Sequence, residues 1–282
     1  MKKWISLVLA VIIGVLCFVP TFATEYTTIS VDADMPAVEA DSITTLEENG
    51  RTYTIEKWSN DSSATVSVTD ESTNEIFLVN VSNDLNSVEV SDYQYKGKIA
   101  GKKYYKKKTT KSHVGKTETT ERVENVLMSL CPVVRADAAS ISWKTKYTTP
   151  AIGSNKDKIW YQLGTSGKTT YLKIGCKATY KINYSSLNST PAGKCDKFRE
   201  EVQDCISYYK KAQTCLGAGA TSAAASIIAA GILTLGPGAL VAACVEAIGG
   251  SATYFYYVYD AVKYHDLAAD DYVIIRSYGT KI

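Results

Sequence analysis

Between Leu216 and Val245 the chain runs for thirty residues without a charge, rich in Ala and Gly and broken at Gly236-Pro237-Gly238. No other stretch restricts the fold as much, because so long an uncharged segment has to be buried in a protein core or in a bilayer. Pro cannot continue a helix and clashes with the preceding turn, while Gly permits a reversal, so the pattern predicts a helical hairpin. The first leg, Leu216 to Leu235, has twenty residues, about 30 Å of helix and enough to cross a hydrocarbon core. The second leg, Ala239 to Tyr259, carries one acid, Glu246, and ends in Tyr254, Phe255, Tyr256, Tyr257 and Tyr259. Such amphipathic rings settle at membrane interfaces.

Small residues recur every four positions: Gly217, Thr221, Ala225 and Ala229 on the first leg, then Ala239, Ala243, Ala247 and Ser251 on the second. That spacing lets two backbones approach closely, in lipid or in a soluble core. The large apolar residues, Leu216, Ile227, Ile228, Ile232, Leu233 and Leu235, contribute roughly −2 to −4 kcal/mol to insertion in all, and the Gly, Ser and Thr between them erode this. A segment of that strength suits conditional insertion, with Gly217, Thr221, Ala225, Ala229, Ile232, Gly236, Pro237, Gly238, Ala243 and Glu246 as its candidate residues. An Ala-rich hairpin buried inside a secreted domain is the competing reading.

The N-terminus has the form of a secretory signal peptide over residues 1–23: Lys2 and Lys3, an apolar run from Ile5 to Val19, and Thr21-Phe22-Ala23 for cleavage. Cys17 follows Leu16 rather than a small residue, which argues against lipid attachment. Export predicts an extracellular protein. The remaining chain divides by charge. Residues 24–95 hold fifteen acids against Arg51 and Lys57, a net of −13; residues 96–116 hold nine Lys and no acid; residues 139–282 hold sixteen bases and ten acids, a net of +6. Such asymmetry marks segments with separate tasks.

The acidic region, 24–95, reads as an antiparallel β sheet and a candidate restraining pro-region. Residues 52–58, 65–69, 75–81 and 87–93 are β-branched or alternating, with turn signals at 48–50, 60–61, 72–74 and 83–84. Residues 96–138 read as a flexible Lys-rich linker followed by a short helix at 118–130. From 139 onward the pattern becomes Tyr-rich strands at 141–148, 158–163, 169–180 and 181–184. An amphipathic helix follows Pro191, its stripe formed by Cys195, Phe198, Val202, Cys205, Ile206, Tyr209, Ala212 and Leu216. A last strand is expected at 272–275. The predicted class is α+β: an acidic antiparallel β region, then Tyr-rich strands carrying an amphipathic helix and the apolar hairpin.

Six cysteines follow the signal segment: Cys131, Cys176, Cys195, Cys205, Cys215 and Cys244. In an exported chain an even number predicts disulfides, with the connectivity open. Cys205 and Cys215 are excluded as a pair, because ten residues of continuous helix set them about 15 Å apart. No Cys pair has zinc-site spacing. His113 and His265 belong to no metalloprotease helix or nucleophile elbow, and Gly167-Lys168-Thr169 lacks the first Gly of a phosphate-binding loop. No catalytic residue, metal or cofactor is predicted, and no nucleic-acid-binding motif accompanies Tyr104 and Tyr105.

The order of parts resembles the large unmodified bacteriocins of Gram-positive bacteria, in particular the geobacillin twenty-six family. It consists of signal peptide, acidic β segment with Thr69-Asp70-Glu71-Ser72-Thr73-Asn74-Glu75-Ile76-Phe77, Lys-rich junction, Tyr-rich strands and C-terminal Ala/Gly hairpin. The resemblance implies an antibacterial protein acting on related bacteria. Its expected partner is an anionic bacterial membrane or cell envelope, with an immunity protein or receptor as a further candidate and the oligomeric state open. The alternative is a non-lytic secreted surface or adhesion protein in which the hairpin is core.

Overall fold

A computed structural model describes residues 28–29, 35–36, 38–99, 102–113, 141–153 and 156–282. The signal segment, the 118–130 helix and Cys131 lie outside the described residues. The α+β class holds: the described strands form two antiparallel sheets, and three helices pack between and against them.

The first sheet is a meander in the order β1(Thr28–Ile29), β7(Lys102–His113), β6(Ser87–Ile99), β5(Glu75–Ser82), β4(Ser63–Asp70), β3(Arg51–Ser59), β2(Ser42–Glu48). Its hairpins sit where the turn chemistry put them. Asn49 and Gly50 both have positive φ, 51° and 76°, between the paired Glu48 and Arg51, the mirror-image turn that matches strand twist. Asp70 ends β4 nearly buried. It accepts hydrogen bonds from Ser72 Oγ (2.5 Å), Ser72 N (2.9 Å) and Thr73 N (3.3 Å), with Arg51 at 3.2 Å. Burial alone would raise its carboxyl, but these bonds and the guanidinium hold it below the usual range.

The Lys-rich run is a correction. Lys102–His113 is not a linker but β7, paired along its length with β6. Two of its six lysines meet acids across the ladder, Lys111 opposite Glu89 and Lys108 opposite Asp92, with Lys111 Nζ 3.0 Å from Glu89, while Lys103 stands opposite Lys98. Tyr105 packs with Ile76, Leu78 and Tyr93 on one face of the sheet, and Ser112 is buried on the other. Oppositely charged cross-strand pairs stabilise a sheet, so Glu89 and Asp92, together with the buried Tyr105, help to hold as a strand a run that reads as solvated coil.

The second sheet has the order β12(Thr280–Lys281), β11(Thr179–Asn183), β10(Thr169–Gly175), β9(Trp160–Ser166), β8(Ser142–Thr148). The stretch expected as one strand over 169–180 breaks at residues 176–178. Residues 272–275 are helical and not a strand; the returning strand is β12.

The helices are α1(Ser189–Gly231), α2(Pro237–Ile248) and α3(Ala252–Ile275). α1 and α3 are antiparallel neighbours: Lys197 near the start of α1 meets Asp271 near the end of α3, and Tyr208 stacks on Tyr264 with ring centroids 5.7 Å apart. This pair is a spine shared by two cores. The amphipathic stripe predicted after Pro191 is the core face. Cys195, Phe198 and Val202 pack with Ala268, Tyr272 and Ile275 against Leu172, Ile174 and Ile182 of the second sheet. The other half of the spine packs with α2 against the first sheet.

Where the two helices meet, one lysine serves two buried carboxylates. Lys197 Nζ lies 3.0 Å from Glu201 and 3.2 Å from Asp271. Burial first, and the charge of Asp271, push the Glu201 carboxyl above its ordinary range against the pull of Lys197. A carboxyl whose pKa rises on folding binds its proton more tightly in the folded state, so stability falls as pH climbs from about 4 through the folded value. Glu201→Gln removes that loss: its melting temperature should exceed the wild type's at pH 7, and the gap should close below pH about 4, as read by thermal denaturation across pH.

Candidate functional site

The Ala/Gly stretch folds into helices but not into the two-legged hairpin its sequence predicts. The first leg is shortened at both ends. Gly217 sits at φ 73°, ψ 168°, a kink that interrupts α1, and the helix stops at Gly231, with Leu235 N donating back to Gly231 O in a closing turn. The fifteen residues from Gly217 to Gly231 make about 22 Å of helix, short of a hydrocarbon core about 30 Å thick. The second leg is interrupted by Gly249 and Gly250, with φ of 79° and 109°, which end α2 before α3 begins. Gly217 and this Gly pair, not the 236–238 triplet alone, set the geometry, because their positive φ costs any other residue. α1 does contain an 18-residue window of mean hydropathy 1.3, long and apolar enough to span by length and composition. The core helix of a soluble protein meets the same criterion.

The residues assigned to insertion separate by depth. Thr221, Ala225 and Ala243 are buried; Ala229, Ile232, Gly236, Pro237, Gly238 and Glu246 are half-buried; Gly217 is exposed. Ala225 and Ala243 belong to the apolar cluster that reaches the first sheet. Ala223, Ala224, Ala225, Ile227 and Ile228 of α1, with Leu240, Ala243 and Cys244 of α2, share one apolar cluster with Tyr53, Val66, Val68, Phe77 and Val79. Gly231 has no room for a side chain, since a Cβ there would lie 2.5 Å from Leu240 Cδ2 and 2.8 Å from Phe77 Cζ. Packing is looser at the edge: a cavity of about 130 Å³ lies between β6, β7 and α1, lined by Val90, Asp92, Lys108, Ser226, Ala229 and Leu233. Burial first, and then Glu75, raise the Asp92 carboxyl there, against Lys108.

A polar clamp accompanies the apolar contact. The Glu48 carboxylate, at the end of β2, accepts hydrogen bonds from Gly238 N at 3.0 and 3.1 Å and from Ala239 N at 3.3 Å. Those amides are the unpaired donors of the first turn of α2, where the helix dipole favours a negative charge. Gly236 and Gly238 leave the room, since a Cβ at either position would run into the Glu48 carboxylate. An acid of the N-terminal region thus holds the turn of the apolar unit, a contact 190 residues away in sequence. Glu48→Gln keeps the shape and loses the charge; it should cost about 1 kcal/mol in chemical denaturation.

The proposed aromatic belt does not form one exposed band. Phe255 is fully buried beside Val258, Tyr254, Tyr257 and Tyr259 are half-buried, and Tyr256 is exposed. Helical periodicity explains this, since consecutive residues of α3 point around the whole helix. The expected disulfides are likewise absent among the described residues: Cys176, Cys195, Cys205, Cys215 and Cys244 are free. Cys195 lies in the second-sheet core and Cys205 and Cys244 in the other. Burial pushes the Cys195 thiol up to about 11 and the Cys205 thiol up to about 12, and raises Cys244 further, so all three behave as small apolar side chains.

His265 is wholly buried, with Nε2 2.7 Å from Asp157 O and Nδ1 3.3 Å from the Asp266 carboxylate. It ties Asp157 to α3, and a Cβ on Gly153 would strike its ring. His113 is exposed at the end of β7. No group of three or more His, Cys, Asp or Glu side chains converges to hold a metal among the described residues. The chain matches no family model, no curated protein and no solved structure. The bacteriocin resemblance therefore rests on the order of parts in the sequence.

Proposed function

We propose that this is a secreted antibacterial protein that stores a marginally hydrophobic Ala/Gly helical unit against its N-terminal sheet and inserts it at an anionic envelope. The observation that carries the reading is the seating of that unit: the apolar faces of α1 and α2 lie on the −13 region, and Glu48 of that region caps the turn of the unit. Storage suits a segment too short and too weak to be a constitutive anchor. Approach is electrostatic, each base of the +6 C-terminal region contributing about 1 kcal/mol within a Debye length of an anionic surface. Cleavage between 113 and 141 separates sheet from helices covalently and leaves the apolar contact, the clamp and a hydrogen bond from Lys156 Nζ to Ser112 Oγ at 2.6 Å.

Dye leakage from anionic liposomes tests this. The full-length protein, carrying a specific protease site between 113 and 141, should leak little before cleavage and much more after it. Equal leakage before and after, no greater than that of a polar control protein, sinks the reading. It would favour the alternative of a non-lytic surface or adhesion protein, which the full burial of Thr221, Ala225 and Ala243 also fits.

A further inference from the structure

The helices cover one face of the second sheet, and the other face has an order that packing does not explain. Register places twelve residues there in three rows across β8, β9, β10 and β11. The middle row is Lys146, Gln162, Lys173, Lys181. One flanking row is Trp143, Gly164, Tyr171, Asn183; the other is Thr148, Trp160, Gly175, Thr179. A bulge in β8 between Trp143 and Lys146 brings Lys146, and not Thr145, into the middle row.

Both tryptophan rings lie down on the sheet. Trp143 covers Gly164, where a Cβ would come within 2.5 Å of the ring, and Trp160 covers Gly175, where a Cβ would strike it. The ammonium groups then rest on the rings: Lys146 Nζ is 3.8 Å from the Trp160 centroid, Lys173 Nζ 4.1 Å from Trp143, and Lys181 Nζ 5.9 Å from Tyr171. None of these three lysines forms an ion pair among the described residues, and residues 141–188 hold eight lysines against a single acid, Asp157. Lys173 and Lys181 stand directly opposite each other, a like-charge pairing that weakens a sheet. The Lys146 ammonium is lowered by burial first and then by Lys173. An array of cations held at a stability cost, with no counter-charge, is arranged for an external polyanion.

We propose that this face binds a linear, base-free phosphodiester polymer, the polyol-phosphate chemistry of a Gram-positive wall, through Lys146, Lys173 and Lys181. At about 4.8 Å per strand the row spans roughly 14 Å, a straight track for an extended chain. The ring geometry selects among polyanions. Each Trp ring has backbone under one face and an ammonium on the other, so it offers no free surface for stacking a base, which single-stranded nucleic acid requires. Rings lying flat also do not project into a bilayer interface as anchoring aromatics do. The inference rests on the extracellular reading above but not on insertion, since the face contains none of the apolar unit.

The test is equilibrium binding of the full-length protein to immobilised poly(glycerol phosphate), alongside anionic vesicles and poly(dT). Wild type should prefer the polymer, with a log–log salt slope of about −2 for three contacts. Each lysine contributes roughly fivefold, so Lys146→Gln/Lys173→Gln/Lys181→Gln should bind roughly a hundredfold more weakly, at a melting temperature no lower than that of the wild type. The corresponding triple Arg variant should retain binding. A triple Gln variant that binds like wild type, or a wild type that prefers vesicles or poly(dT), overturns the proposal. Leakage after cleavage reads the insertion hypothesis separately: polymer binding without leakage removes insertion alone, and leakage without polymer binding removes this site alone.

Discussion

Phe77→Ala should lower the stability of the full-length protein by about 3–5 kcal/mol, the range for deleting a buried aromatic side chain. Phe77 is 2% exposed on β5 and meets the helical unit where α1 ends, its ring against Gly231. Its removal opens a void between sheet and helices that neither can close, because β5 is tied on both sides into the meander and α1 is tied to α3. The loss falls on the contact that storage depends on. The variant should therefore leak anionic liposomes without cleavage, at concentrations where wild type does not. Urea denaturation reads the first effect and dye release the second. A destabilised variant that stays as silent as wild type would mean that the sheet stabilises the helices without restraining them.

Gly231→Leu should act on the same contact by overfilling it. The new Cβ alone lies 2.5 Å from Leu240 Cδ2 and 2.8 Å from Phe77 Cζ, and the rest of the side chain has nowhere to go, so about 1–3 kcal/mol or more is lost. Gly219→Leu is the control. Gly219 is exposed in the same helix with nothing within 4 Å of a built Cβ, and replacing Gly there should gain up to about 1 kcal/mol from helix propensity. Opposite signs at two glycines twelve residues apart would locate the sheet contact; equal losses at both would put the effect in the helix backbone instead. Thermal and urea denaturation of both variants decide it.

Much of the fold is legible in the residues. The β-branched runs and their Asn/Gly turns mark β3 to β6, because strand alternation and two-residue turns are local properties. The stripe of Cys195, Phe198, Val202, Cys205 and Ala212 marks a core face for the same reason. The candidate site was legible only in part. The triplet predicts a break, but the turn lies at 232–236 and Pro237 and Gly238 open α2; Gly217 and Gly249-Gly250 matter as much, and a single Gly inside an apolar helix gives no sign that its φ will be positive. The polar clamp carried no signal at all, since Glu48 is one of fifteen acids in its region.

From sequence alone come the charge partition, the α+β class, the β-rich N-terminal region and an uncharged helical segment that has to be covered. Tertiary structure decided what covers it. It paired Lys108 and Lys111 of β7 with acids of β6, kept five described cysteines apart as free thiols, replaced a straight hairpin with a spine shared by two cores, and laid tryptophans and lysines in register on an open sheet face. The division follows from range. Periodicity and turn chemistry act over a few residues, whereas cross-strand charge pairing, the Phe77–Gly231 contact and the Glu48 clamp depend on residues dozens to nearly two hundred positions apart, which meet only once the chain has folded.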